Sequence, residues 1–545
     1  MVKGATSGKF FRITLDCTTL QVRARNLKSG PGRGRRIVSA RSFSQAERDL
    51  RKDDNQMTQI NRRHFLQSLA VGTAGVAAGT LVDAEVAGVS KPAARKPNIV
   101  IILADDLGWN DVSYHGSAIR TPNIDGIAGK GVELDRFYAE PLCSPTRAGL
   151  MTGRHPLRVG IGCSVIMPWR KHGMPADERI IPEVLADAGY NRRGCFGKWH
   201  LGHSHVRQHP MSRGFTHFYG CYNGNLDYFT HIREKQLDWH RGHRPAREAG
   251  YTTDLITTEA VKFIHGCKPD EPFLLYVPYN APHAPLQAPQ EYLDKYPDLP
   301  EKRRAFAAMV SAMDDGIGRI LAALDSLGVA DDTFVLFFSD NGGGIGSSNA
   351  PLNGHKSTVF EGGIRVVAGA RWPKGGVCGG RKISTVMGLI DVMPTVMRLA
   401  GVKDHKGKPL DGIDVLDLLT GKAAKGPDRP WFGYIGYRGK DQLAVIEGQW
   451  KLIYIGPRIL KTRDPLSEGK VHLFKINEDP NETTDLAAGN PDVVGRLLER
   501  VKTYRSWHGP TCLDDEPKSR GDFKAPKDWI LPGTKPEDLE ETESK

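Results

Sequence analysis

Cys143 opens the segment Cys143-Ser144-Pro145-Thr146-Arg147, which runs on through Leu150-Met151-Thr152-Gly153-Arg154. Pro145 suits a first helical turn, where its missing N–H costs little, and Gly153 suits the stop. The cysteine therefore stands at a helix mouth, where unpaired N–H groups and the macrodipole favour an anion. Asp105-Asp106 and Asp340-Asn341 are two further clusters, made only of oxygen donors. Such a set suits a hard cation, Ca²⁺ ahead of Mg²⁺ because calcium accepts looser geometry, whereas zinc favours nitrogen and sulfur. Lys198 and His200 stand two apart in Gly197-Lys198-Trp199-His200-Leu201-Gly202, which in an extended chain puts both on one side.

Residues so far apart need a frame that gathers them. The runs 98–104, 273–277 and 333–338 are continuously apolar, as expected of parallel strands covered on both faces. Each delivers polar groups just past its carboxyl end: Asp105-Asp106, then Asn280 to His283, then Asp340-Asn341. Open α/β sheets bind ligands at that edge, so the three ends predict one site. Apolar residues at three- and four-residue steps from Phe306 to Leu324 predict a helix over 303–327, with shorter ones over 253–264 and 391–400. The alternation predicts an α/β domain over 96–425, a doubly wound, mostly parallel sheet with helices on both faces. Short β-prone runs at 431–434, 443–447, 451–455 and 471–475, then a helical stretch at 492–507, predict a smaller C-terminal α+β domain over 426–510, an antiparallel sheet packed with a helix. Residues 511–545 read as a charged, proline-containing tail, loop or partly disordered.

The chain has 545 residues, 39% hydrophobic and 25% charged, enough for two domains. Its net charge of +12 suggests a nucleic-acid partner, but residues 1–84 alone hold 15 Lys/Arg against 6 Asp/Glu, leaving only +3 for the rest. A nucleic-acid footprint needs basic residues clustered on the folded domain, so that class is set aside. Asn61-Arg62-Arg63-His64-Phe65-Leu66 precedes a small-residue apolar run and the small-x-small site Val82-Asp83-Ala84. Residues 57–84 thus resemble a bacterial twin-arginine export signal, with Met57 as the expected start and 1–56 as a mis-called extension or a disordered basic arm. About 15 mildly apolar residues are too few for a secure membrane span, so no stable anchor is expected after cleavage. The expected location is periplasmic or secreted, with the twin-arginine translocase as a partner. The cysteines at 17, 143, 163, 195, 221, 267, 378 and 512 lack CxxC spacing, which argues against a zinc site and leaves their pairing open.

The C-x-P-x-R spacing followed by Leu-x-Thr-Gly-Arg resembles the signature of the type I sulfatases, formylglycine-dependent arylsulfatases of the alkaline phosphatase superfamily. Gly-Lys198-x-His200, Ala-Pro-His283-Ala-Pro, Asn353-Gly354-His355-Lys356 before Glu361-Gly362-Gly363, and the two acidic clusters match that family in order from about residue 96 to 486. The resemblance implies that Cys143 is oxidised by a formylglycine-generating or sulfatase-maturating enzyme to Cα-formylglycine. It implies one Ca²⁺ held by Asp105, Asp106, residue 143, Asp340 and Asn341. It implies further that Lys198 and Lys356 bind sulfate and that Arg147 fixes the aldehyde hydrate. One hydroxyl of that hydrate would attack sulfur, His283 would protonate the leaving alcohol, and His200 would take the proton of the second hydroxyl so that sulfate is expelled. His203, His205, Arg207 and His209, with the later segment from Asn225 to His231, resemble the layout of arylsulfatase B-like enzymes, which remove 4-sulfate from N-acetylgalactosamine ends. The implied substrate is a sulfated polysaccharide or its oligosaccharides. Two alternatives remain open: a phosphodiesterase or phosphonate monoester hydrolase of the same superfamily, and a non-catalytic glycan-binding protein if Cys143 stays a thiol.

Overall fold

The computed structural model describes residues 95–437, 440–458, 466, 469–507 and 520–540. The expected export signal, the 1–56 extension, Cys17, Cys512 and the two ends of the tail lie outside the described residues. Among the described residues, ten strands make one sheet: β1 (Asn98–Ala104), β2 (Val132–Leu134), β3 (Arg192–Lys198), β4 (His217–Cys221), β5 (His240–Arg241), β6 (Arg244–Pro245), β7 (Phe273–Pro278), β8 (Thr333–Ser339), β9 (Ala368–Arg371) and β10 (Arg381–Ile383). Their order is β10-β2-β9-β8-β1-β7-β3-β4-β5-β6. The five central strands β8, β1, β7, β3 and β4 are parallel, with Ile101 level with both Tyr276 and Leu336. That register carries the ends of β1, β7 and β8 to one edge. Pairing even continues past the strands, from Asp105 N to the Ala281 carbonyl (3.0 Å) and from Asp340 N to the Ala104 carbonyl (2.9 Å).

The sheet is mixed at its flanks, where β9 runs antiparallel to β8 and β5 antiparallel to β4. In both cases the chain leaves a parallel strand at the carboxyl edge, wraps across that edge without a crossover helix, and must re-enter in the opposite sense. The wrapping segments, 340–367 and 222–239, cover the site.

β1 is wholly buried, and its alternation splits the core. Ile99, Ile101 and Leu103 pack with α1 (Cys143–Thr152) and α4 (Val392–Ala400), whereas Val100, Ile102 and Ala104 pack with α2 (Thr252–His265) and α3 (Glu301–Ser326). The helical spacing read from Phe306 to Leu324 is the buried stripe of α3. Its methionines, Met309 and Met313, are core.

A second, four-stranded antiparallel sheet follows, β11 (Trp431–Tyr437), β12 (Lys440–Glu447), β13 (Trp450–Pro457) and β14 (Lys470–Lys475), with α5 (Pro491–Arg505) against it. One face, including Leu443, Val445 and Leu452, packs on Leu497 and Val501 of α5. The other, with Ile435, Ala444 and Ile453, joins the large core. Residues 520–540 are loop with short 3₁₀ turns, yet they bury Trp529 and Leu531 and place Trp529 Nε1 3.0 Å from the Arg233 carbonyl.

The two sheets are also joined by a buried charge cluster. Lys451 Nζ lies 2.9 Å from Glu361 Oε1 and 2.8 Å from Glu482 Oε1, all three being buried, and Tyr138 Oη donates to Glu361 Oε2 at 3.0 Å. Removing one partner of such a set strands the others without water. Lys451→Met is therefore expected to lower stability by about 3–5 kcal/mol, read by denaturant unfolding; an unchanged midpoint would show that the cluster contributes nothing net.

Candidate active site

α1 begins at Cys143 after an extended Leu142 and ends at Gly153 with φ of 65°, as the Pro and Gly positions predict. All ten helix residues are buried. Ser144 Oγ accepts from Ile166 N at 3.1 Å, which pins the 163–173 loop to the mouth of the helix. Burial pushes the Cys143 thiol up, with Lys198 and Lys356 opposing. As a free thiol it is the protonated, poorly nucleophilic form that sits here.

The three strand ends converge on this mouth. Ligand atoms of Asp105, Cys143 and Asp340 lie within 4.8 Å of one another, as do those of Asp105, Asp106 and His283. Arg147 Nη2 reaches Asp340 Oδ2 at 2.9 Å and Asp105 Oδ2 at 3.8 Å, and its Nη1 donates to the Lys198 carbonyl at 2.8 Å. Lys198 Nζ pairs with Asp105. On the outer side Lys356 Nζ sits 2.6 Å from Asp106 Oδ1, Asn341 Nδ2 donates to the same oxygen at 2.7 Å, and His283 Nε2 is 3.6 Å from Asp106 Oδ2. Burial would raise Asp106, but Lys356 and His283 beside it hold the carboxyl well below the usual range. Asp340 is pushed up to about 6 by burial and then by Asp105. Two buried oxygens, Asp105 Oδ1 and Asn341 Oδ1, accept no hydrogen bond. Orphaned acceptors beside two more carboxylates fit a hard, oxygen-seeking cation, and the donor set offers it no imidazole cage.

The two histidines are prepared differently. His200 is buried, with φ of 55°, and its Nε2 lies 3.0 Å from the Ile166 carbonyl. That nitrogen must carry the proton, which leaves Nδ1 as a buried lone pair with no partner. Burial and the nearby Lys198 hold the ring well below the usual histidine range. Gly224 faces it so closely that a Cβ there would lie 2.6 Å from His200 Cε1. His283 has its Nδ1 2.6 Å from the Ala284 carbonyl, so Nε2 is the titrating nitrogen and faces Asp106. Burial, then Lys356, lowers it to about 3. Tyr228 Oη, 2.6 Å from the Asn280 carbonyl and 2.8 Å from that of His283, holds this loop from behind.

All of Asp105, Asp106, Cys143, Arg147, Lys198, His200, His283, Asp340, Asn341 and Lys356 stand at the carboxyl edge. Two expectations change. The backbone turns left-handed at His200, so the extended alternation that put Lys198 and His200 on one side does not hold. His203, His209 and His231 are buried and bond the carbonyls of Pro168, Gly242 and Gly250 at 3.0, 3.0 and 3.1 Å. They staple loops, and His205 caps a 3₁₀ turn through Arg207 N; of His203, His205, Arg207 and His209 only Arg207 is exposed, and of the later segment only Phe229 and Thr230. Local spacing cannot separate a histidine that ties loops together from one that meets a ligand.

Beyond Asp106, His283 and Lys356 lies a cavity of about 380 Å³, rimmed by Ala284, Gly344, Ile345, His355 and Ser357. Gly344 is needed where the wall closes on Asp106, since a Cβ there would lie 2.9 Å from Asp106 Oδ2. In the sequence Ile345 belongs to no motif, and His355 stands out only as the neighbour of Lys356. Nothing in their types marks them, and only the fold of 340–358 over the edge brings them to the mouth.

The chain matches the family model described as Sulfatase over residues 97–402. It is 36% identical over 491 residues to the N-acetylgalactosamine-6-sulfatase of Mus musculus, covering 81% of this chain and 91% of that one. It is 32% identical over 458 residues to arylsulfatase J of the same species, covering 75% and 76%. Among solved structures it is similar to Ps i-CgsB in complex with k-i-k-neocarrahexaose, at 31% identity and a TM-score of 0.71, covering 78% of this chain and 96% of that one. With the acidic cluster, the buried Cys143 and both histidines gathered at one edge, these likenesses place the chain in the sulfatase family, as a sulfuric ester hydrolase.

Proposed function

We propose that the protein removes sulfate from a sulfated polysaccharide or its oligosaccharides, with Cys143 matured to Cα-formylglycine and one Ca²⁺ held by Asp105, Asp106, residue 143, Asp340 and Asn341. The observation that carries the reading is the pair of orphaned oxygens, Asp105 Oδ1 and Asn341 Oδ1, beside Cys143 at the helix mouth. The matured side chain would supply the nucleophilic oxygen, and the cation positive charge against the sulfate oxygens.

The chain's own groups do the rest. Lys198 and Lys356, with the α1 N-terminus, draw in a sulfate whose oxygens repel any nucleophile. Arg147 is locked by Asp340 and the Lys198 carbonyl and holds charge under residue 143. His200 presents an unprotonated Nδ1, the form needed to take a proton from residue 143. His283 presents Nε2 toward the open side, where the alcohol departs. An anionic ester in the throat favours its protonated form, and the Nδ1–H bond to Ala284 persists in that form.

The names of the relatives support a saccharide substrate; one relative is a 6-sulfatase, and the arylsulfatase B-like layout would suggest a 4-sulfate. The substrate class is therefore a sulfated saccharide, with no one sulfate position assigned. The twin-arginine-like leader supports export from a bacterial cell, with delivery by the twin-arginine translocase and maturation by a formylglycine-generating or sulfatase-maturating enzyme. Among the described residues no helix is long and apolar enough to cross a membrane.

Defined sulfated saccharides should release sulfate, while matched phosphate esters turn over far more slowly; the reverse preference would favour the phosphodiesterase reading. His283→Ala is expected to lower kcat by roughly 10²–10⁴-fold on sugar sulfates. The loss should be smaller on 4-nitrophenyl sulfate, whose leaving group needs no proton. Equal losses on both would remove His283 from the proton-transfer role.

A further inference from the structure

The throat of Asp106, His283 and Lys356 admits the ester, so whatever carries the sulfate must rest on the rim. Ile345 is 63% exposed there. A single exposed aliphatic residue is ordinary on a protein surface. This one differs because the loop holding it out is tied down. The buried Asp111 carboxylate accepts from Gly108 N and Ser348 N and pairs with Arg303, whose Nη1 also donates to the Gly346 carbonyl at 3.0 Å. Asn349 Oδ1 accepts from Gly343 N at 2.8 Å. Ile345 is thus presented at a fixed place beside the throat. Across the cavity wall His355 is exposed, with Nδ1 2.7 Å from the Lys356 carbonyl. A carbonyl can only accept, so Nδ1 carries the hydrogen and Nε2 of the neutral ring is left as an acceptor.

We propose that Ile345 and His355 form the seat for the sugar ring that bears the scissile sulfate. Ile345 packs against the ring's apolar C–H face, and His355 Nε2 accepts a hydrogen bond from a ring hydroxyl. The ligand class is a sulfated pyranose with a free hydroxyl near the ester, and the seat rests on the saccharide reading above. Both are binding residues with no part in proton transfer. They therefore act on KM, and His355 also on the choice between saccharide and aryl esters.

The test measures kcat and KM for wild type, Ile345→Ser, His355→Ala and His355→Gln. The substrates are N-acetylgalactosamine 6-sulfate, N-acetylgalactosamine 4-sulfate, a sulfated carrageenan hexasaccharide and 4-nitrophenyl sulfate. For the best saccharide, His355→Ala should lower the ratio of its kcat/KM to that of 4-nitrophenyl sulfate about tenfold, the worth of one hydrogen bond, through KM. His355→Gln, which keeps an acceptor, should recover part of that ratio. Ile345→Ser should raise KM roughly fivefold for saccharide and aryl sulfate alike, since both offer an apolar ring face. Saccharide turnover by wild type with unchanged ratio and KM in the variants overturns the seat alone. Loss in kcat rather than KM overturns it too, by making these residues part of the catalytic frame. Turnover of 4-nitrophenyl sulfate with none of any saccharide overturns the saccharide reading and the seat together.

Discussion

Cys143→Ala is expected to lose sulfate-ester turnover by on the order of 10⁴-fold or more, because no neighbouring group can replace the nucleophile. The change removes one buried sulfur from a helix otherwise held by its packing, so the fold should survive, as circular dichroism would show. Peptide mass spectrometry of active wild type should find residue 143 about 18 Da lighter than cysteine, the exchange of CH₂–SH for an aldehyde. Cys143→Ser is the sharper variant. One hydroxyl can attack sulfur once, with the alcohol leaving, but it has no second hydroxyl through which to expel the sulfate. A stable adduct about 80 Da heavier, formed once per protein, is the expected outcome. An intact thiol at 143 in fully active protein would falsify the maturation proposal.

Stripping the proposed cation has the second-largest expected effect. Three carboxylates, Asp105, Asp106 and Asp340, are buried around one point, and although Arg147, Lys198 and Lys356 match their formal charge, Asp105 Oδ1 and Asn341 Oδ1 are left with no donor. Chelation should abolish turnover, Ca²⁺ should restore it more fully than Mg²⁺, and Ca²⁺ should raise Tm by mass action, about 2.7 kcal/mol of stability at a hundredfold excess over Kd. The pH dependence has a sign. Asp340, pushed up to about 6 in the folded protein against 3.8 ordinarily, costs the cation-free protein stability as pH rises from about 4 to about 6. A cation binds the deprotonated carboxylate, so the Ca²⁺-induced rise in Tm should grow as pH passes upward through that range and shrink below it. A Tm shift independent of pH there would remove Asp340 from the ligand set.

The sequence alone determined the frame: β1, β7 and β8 as unbroken apolar runs, α3 by its spacing, α1 by Pro145 and Gly153, and the polar groups just past each strand. These signals are legible because burial on two faces, helical period and turn chemistry act over a few residues. The C-terminal sheet was legible for the same reason, although the strands proved one to three residues longer than the β-prone runs. What tertiary structure decided is everything that depends on which distant groups meet. The chain wraps over the carboxyl edge after β4 and β8, so the sheet turns antiparallel at its flanks. A left-handed turn at His200 re-aims its ring. His203, His209 and His231 find backbone carbonyls and become staples, while Ile345 and His355 are carried to the mouth. The reason is physical: a side chain's task follows from its burial and its partners, and both are fixed only when segments hundreds of residues apart are packed together.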